Sequence, residues 1–282
     1  MVIWVTGAEG QLGRSLQRLC HASSERWLFT DREVDLTDRE RVFSFVQREQ
    51  VDVIINCAAY TDVERAEEEE EQAYAVNATA VGYLAEAAKV RDALLIHIST
   101  DYVFMGGCCS LLTEQSQPNP INAYGRTKLA GEELIRQSGC HYMIFRTAWL
   151  YSPYGKNFVK TILRLASERS QIRVVNDQIG SPTSALDLAA ALLTVVHEGR
   201  FVEGLYHYTN LGECSWWEFA REILRLAKSP VEVTPCSSAD YPTRALRPKN
   251  TVLDKTKVQQ QLGISIPHWK ISLEQCLDEL QA

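Results

Sequence analysis

The chain has 282 residues, 45% apolar and 23% charged, which suits a large folded core and excludes a disordered or collagen-like polymer. Its formal net charge of -7 excludes a dedicated nucleic-acid binder, which needs a basic face to displace counterions. No apolar run approaches the ~20 residues of a membrane span, and the sequence enters a strand pattern at its second residue, so we expect a cytoplasmic protein with no nucleic-acid and no membrane partner.

Residues 2–6, VIWVT, are a short apolar run ending at Gly7, and Leu12, Leu16 and Leu19 follow at helical spacing. The alternation repeats as a strand at 27–30, a helix over 38–49, a strand at 51–60, a long helix over 65–90 and a strand at 93–100. A helix carrying Tyr124, a strand at 141–149, a helix near 156–168 and an apolar run at 171–177 come next. Apolar strands alternating with amphipathic helices predict an α/β fold, a Rossmann-type doubly wound parallel sheet covered on both faces. From about 210 the texture changes to SWWEFAREILRLA, a helix, then proline-bearing loops and a short helical tail. The expected division is a dinucleotide-binding domain at 1–150 and about 178–209, with a smaller substrate-binding lobe at about 151–177 and 210–282. The acidic run from Glu67 to Glu71 reads as a solvated face at a helix start, favoured by the helix dipole.

Eight cysteines are scattered without a C-x-x-C pair or paired histidine spacing, so no metal site is expected. They read as reduced thiols, and adjacent Cys108 and Cys109 read as loop filling rather than a redox pair.

Gly7, Gly10 and Gly13 stand in TGAEGQLG, directly after the first strand and opening the first helix, with Gln11 and Leu12 between them. There the turn is tight, backbone N–H groups can approach a pyrophosphate, and the helix N-terminus offers partial positive charge. The second strand ends FTDRE, so Asp31 falls where an acid holds an adenosine ribose hydroxyl, while neighbouring Arg32 suits a 2'-phosphate. Both NADH and NADPH therefore stay open. Asp35 and Leu36 complete the expected adenosine side. In NCAAY, Cys57, Ala58, Ala59 and Tyr60 place small groups where the cofactor would cross the sheet edge.

Tyr124 and Lys128 lie four apart at the start of a helix entered through PNPIN, where Asn122 can cap it. With 11 tyrosines in the chain, chance gives such a pair to about one sequence in three, so order must supply the meaning. The fourth strand ends HIST, which brings Ser99 and Thr100 to the same sheet edge as the glycine turn. Ketone reduction needs a proton for the developing alkoxide. A lysine about 4 Å from a tyrosine would favour the phenolate by roughly 4 kcal/mol, about 3 pKa units at most. Thr100 would orient the carbonyl oxygen.

The segments VTGAEGQLG, NCAAYTDVERAE, STDYVF, NPINAYGRTKLAGE, RTAWLY, GKNFVKT, DQIGSPT, SWWEFA and RPKNTVLD together resemble the extended short-chain dehydrogenases/reductases, and among them the dTDP-4-dehydrorhamnose reductase family. The resemblance implies NAD(P)H-dependent reduction of the C4 ketone of dTDP-4-dehydro-L-rhamnose by a monomer or homodimer. It implies a catalytic set of Thr100, Tyr124 and Lys128, with Lys128 also holding the nicotinamide ribose. It further implies a dTDP-sugar pocket drawing on Thr61, Val63, Tyr102, Trp149, Asn157 and Arg247. Arg244, Arg247 and Lys249 are candidates to hold the diphosphate. Two positions depart from the pattern. Ser15 stands where metal-dependent relatives carry a carboxylate, so no magnesium-bridged dimer is expected, and MGGCC (105–109) replaces a loop usually opened by Asp-Gly. Another nucleotide-sugar 4-ketoreductase or epimerase, and a non-catalytic regulatory subunit on the same scaffold, are the alternatives; Tyr102 after Asp101 disfavours a dehydratase.

Overall fold

The computed structural model describes residues 1–22, 25–107 and 111–281, so Cys108 and Cys109 lie outside the described residues. The first half of the chain alternates strand and helix. In order come β1 (Val2–Thr6), α1 (Gln11–Leu19), β2 (Arg26–Thr30), α2 (Arg39–Glu49), β3 (Val53–Asn56), α3 (Val63–Ala66), α4 (Glu70–Tyr74), α5 (Ala80–Arg91), β4 (Leu94–Thr100), α6 (Ala123–Ser138) and β5 (His141–Thr147). Then follow β6 (Leu150–Tyr151), α7 (Phe158–Glu168), β7 (Gln171–Val175), β8 (Ile179–Gly180), β9 (Thr183–Ser184), α8 (Ala185–His197), β10 (Gly204–His207), β11 (Cys214–Ser215), α9 (Trp216–Leu226), β12 (Glu232–Cys236), α10 (Thr256–Leu262) and α11 (Trp269–Gln281).

Six parallel strands form the central sheet in the order β10-β5-β4-β3-β1-β2. The strands are apolar throughout because both faces are covered. Ile3, Val5, Ile55, Ile96 and Phe145 pack with α1 and α8, whereas Trp4, Ile54, Leu95 and Ile144 pack with α2, α5 and α6. The chain reverses its direction of strand addition between β1 and β3, where such sheets open a crevice at their carboxyl ends. Outside this sheet, β7 pairs with β12, β8 with β11 and β6 with β9. A third apolar cluster, built on Tyr151, Phe219, Ile223, Trp269 and Leu273, joins α7, α9 and α11.

Three expected elements differ. The strand expected at 51–60 spans only Val53–Asn56. Beyond it the backbone leaves the sheet, with Tyr60 held at both its N–H and its carbonyl by the Asn77 amide, at 2.8 and 3.0 Å. The long helix expected over 65–90 is broken into α3, α4, a π-helical stretch over 75–79, and α5. There α6 crosses so closely that a Cβ on Gly131 would lie 2.2 Å from the Asn77 carbonyl oxygen, and the widened turn frees the Asn77 side chain for Tyr60. The strand expected at 141–149 stops at Thr147, because Trp149 takes a left-handed backbone with φ of 49°.

Candidate active site

The glycine turn is packed against the start of the segment after β3. Gly7 has φ of +63°, and a Cβ there would sit 2.7 Å from the Ala58 backbone. A Cβ on Gly13 would lie 2.5 Å from the Gly7 carbonyl oxygen, so the third glycine lets α1 close on its own turn. Gly10 caps α1 with extended backbone and offers no side-chain acceptor, which leaves first-turn N–H groups for a ligand. Leu12 is in the core, whereas the Gln11 side-chain Oε1 accepts from Ser152 Oγ at 3.1 Å and Asn157 Nδ2 at 3.0 Å.

Asp31 and Arg32 follow directly on β2, with Arg32 exposed. Asp35 accepts from the Thr37 N–H and hydroxyl at 2.9 and 2.7 Å, which holds its carboxyl below the usual range, and Leu36 packs beneath. Cys57, Ala58, Ala59 and Tyr60 are all partly exposed beside the turn. Burial pushes the Cys57 thiol up to about 12, so it is inert as a thiolate.

Tyr124 reaches this edge because α6 starts on top of the turn after β4. Asn122 caps α6 by accepting from the Gly125 N–H at 2.8 Å, and a Cβ on Gly125 would meet the Tyr102 carbonyl oxygen at 2.2 Å. Tyr102 and Tyr124 meet edge to face at 5.7 Å. Thr100 stands close enough to the Tyr124 phenol to favour its ionisation, while its hydroxyl donates to Asp101. Burial and the nearby Asp101 and Tyr102 outweigh this and push the phenol well above its ordinary value. Tyr124 is thus held protonated while part of its surface stays exposed.

Lys128 corrects the expectation of a direct charge partner for Tyr124. Its Nζ donates to the Ile98 carbonyl at 2.6 Å and lies 3.2 Å from His97 Nε2, and it takes no part in shifting the phenol. A buried amine needs an acceptor, and the β4 carbonyl is nearer than the tyrosine. Burial lowers Lys128 to about 8.

Asp101 is a site group that sequence reasoning missed. It is buried, accepts from Thr100 Oγ at 3.1 Å and from the Thr251 hydroxyl, and burial pushes its carboxyl up to about 6. An acid directly after a strand-end threonine was the only local signal.

The remaining candidates lie on the segments that close over this edge. Thr61 is exposed and Val63 opens α3. Arg247 donates to the Tyr102 hydroxyl at 3.1 Å and to Glu64 at 2.7 Å, and the Arg244 guanidinium pairs with Glu68. Lys249 is exposed. Trp149 stacks on Trp216 with centroids 3.6 Å apart and lies over Gly180. Asn157 caps α7 and spends its amide on Gln11, Ser152 and Tyr154, which places it at a joint rather than open to a sugar. In the acidic run Glu67, Glu68, Glu70 and Glu71 are exposed, and two of them also fasten α6: Glu67 accepts from the Ala123 N–H at 2.7 Å and Glu70 clasps Arg126, while Glu69 holds Arg65 and Tyr60. Among the described residues no cluster of three or more His, Cys, Asp or Glu side chains is arranged to hold a metal.

The family model for the RmlD substrate binding domain matches residues 1–282. A dTDP-4-dehydrorhamnose reductase of Aggregatibacter actinomycetemcomitans is 42% identical, with 96% of each chain covered. The chain belongs to the dTDP-4-dehydrorhamnose reductase family. Solved structures agree. The reductase of Clostridium acetobutylicum matches with a TM-score of 0.96 at 42% identity over all of both chains. That of Bacillus anthracis, solved in complex with NADP, matches at 0.95 and 39% over 99% of each. In this family setting, Thr100 ends a strand at the carboxyl edge of a sheet whose glycine turn lies two strands away.

Proposed function

We infer that the chain is an NAD(P)H-dependent oxidoreductase that reduces the C4 ketone of dTDP-4-dehydro-L-rhamnose to dTDP-L-rhamnose. The observation that carries this reading is the placing of Thr100, at the end of β4, beside a protonated, partly exposed Tyr124 in the first turn of α6. The residues fit a dinucleotide, since Gly7 and Gly13 let the turn close tightly after β1 and Gly10 leaves the first-turn N–H groups of α1 without a side-chain cap. Gly7, Gly10, Gln11, Leu12 and Gly13 would hold its pyrophosphate through backbone N–H groups. Asp31, Arg32, Asp35 and Leu36 would frame the adenosine, and Cys57, Ala58, Ala59 and Tyr60 the crossing. When bound, the reduced nicotinamide supplies a hydride.

Thr100 would donate a hydrogen bond to the ketone oxygen, and Tyr124 would give it the phenolic proton as charge develops there. Holding the phenol protonated at rest is what an acid in this direction requires. Arg247, through Tyr102, sets the wall beside Tyr124, and with Thr61, Val63 and Trp149 it would contact the nucleotide sugar. We assign α7, α9, α11 and the small sheets to the substrate lobe, the protein to the cytoplasm, and its assembly to a monomer or homodimer. No described helix is long and apolar enough to cross a membrane. In the deciding experiment, purified chain receives enzymatically made dTDP-4-dehydro-L-rhamnose with NADPH or NADH. Oxidation of the nicotinamide is expected, and folded protein that oxidises neither contradicts the reading.

A further inference from the structure

A line of four buried polar side chains runs beneath the site: Thr6, Asn56, His97 and Lys128, each no more than 1% exposed. Asn56 Oδ1 accepts from the Thr6 hydroxyl at 2.7 Å and from the Ala58 N–H at 3.2 Å. A backbone N–H can only donate, so it fixes the Asn56 carbonyl on that side and turns the NH2 toward His97 Nδ1, 3.0 Å away. His97 Nδ1 must therefore accept, and a neutral ring then carries its proton on Nε2. That proton points at Lys128 Nζ, 3.2 Å away. An ammonium has three donors and no lone pair, so a charged Lys128 would set N–H against N–H. Only a neutral amine accepts from His97 Nε2–H while donating to the Ile98 carbonyl at 2.6 Å.

We propose that His97, as its Nε2–H tautomer, parks Lys128 as a neutral amine in the cofactor-free protein, and that dinucleotide binding draws Lys128 away with uptake of one proton. His97 is a positioning residue that acts through Lys128. The groups facing Lys128 agree with this arrangement. His97 from β4 is neutral because burial holds it well below its ordinary value, and Cys57 after β3 is an uncharged thiol. On its own helix, Glu132 favours the charged form, but its carboxylate is engaged by Arg146, Arg136 and Ser99. Tyr124, one turn earlier, is protonated. Burial lowers Lys128 to about 8, in the same direction as the hydrogen-bond pattern. The parked state also accounts for Lys128 standing off from the phenol. The negatively charged cofactor would offer the acceptors an ammonium needs.

Two measurements test the proposal. Long-range nitrogen-15 NMR of the histidine rings in the cofactor-free protein is expected to show His97 protonated at Nε2 and bare at Nδ1; the Nδ1–H tautomer or an imidazolium would overturn the assignment. Calorimetric titration with NADPH in buffers of different ionisation heat, at about pH 8.5, is expected to show uptake approaching one proton per site. In His97→Gln, whose amide oxygen can accept from an ammonium, uptake should fall by at least half. Wild-type binding without uptake, or unchanged uptake in the variant, sinks the coupling. The calorimetric arm rests on the cofactor reading above, and absence of NADPH binding would count against that reading, whereas the tautomer is decided without any cofactor.

Discussion

In the proposed mechanism Tyr124 is an acid held protonated, and its removal should be felt in turnover rather than in binding. Tyr124→Phe is expected to lower kcat at least about a hundredfold while NADPH affinity, read by fluorescence titration, stays within a few-fold. Asp101 gives a pH signature. Its carboxyl sits at about 6, above the ordinary 3.8, so folding favours the protonated form. That contribution is complete below the unfolded value and is lost as pH rises through the folded one. Relative to Asp101→Asn, the wild type should therefore lose up to about 3 kcal/mol of stability between about pH 4 and pH 7, measured by urea unfolding; parallel curves would refute this. At this scale the sequence was informative about Thr100 and Tyr124, because strand ends and helix starts place them. It was silent on Lys128's partner, which depends on which carbonyl its burial brings nearest. It was silent too on Asp101, whose second partner, Thr251, lies 150 residues away.

Elements carry the site's geometry. The first turn of α6 is fixed at once by Asn122, by Glu67 on the Ala123 N–H, and by Glu70 on Arg126. Glu67→Ala removes a charged acceptor from an N-terminal N–H and should cost about 1 kcal/mol. It should also speed amide exchange at residues 123–126 and lower kcat more than it changes KM. Gly13→Ala forces a Cβ within 2.5 Å of the Gly7 carbonyl oxygen and 2.6 Å of Ala8 Cα, backbone that cannot give way cheaply. NADPH affinity in that variant should fall more than about tenfold with the far-ultraviolet dichroism retained, since the N–H cradle is what shifts. Strand and helix order was legible from periodicity, but the break in the 65–90 helix was not. It arises from contact between Gly131 and Asn77, residues on different helices.

Across the whole molecule, two structures must meet: a sheet that presents Thr100, and the segments after β5 that close over it. Gln11 joins them, since the helix that opens at the glycine turn is tied to Ser152 and Asn157 beyond β6. Arg247, reaching from the loop before α10 to Tyr102 and Glu64, is a second tie. The doubly wound sheet could be expected from the repeating pattern alone. The edge strand β10, only four residues long, and the pairings of the small sheets could not, because each depends on a partner strand distant in the chain. The central claim is that this arrangement delivers hydride to C4 of the sugar and a proton to its oxygen. The most direct measurement uses cofactor deuterated at the nicotinamide C4, with each face labelled in turn, and reads the product by NMR. Deuterium at C4 of dTDP-L-rhamnose from one face only is the predicted result, and product without deuterium from either face would contradict the account.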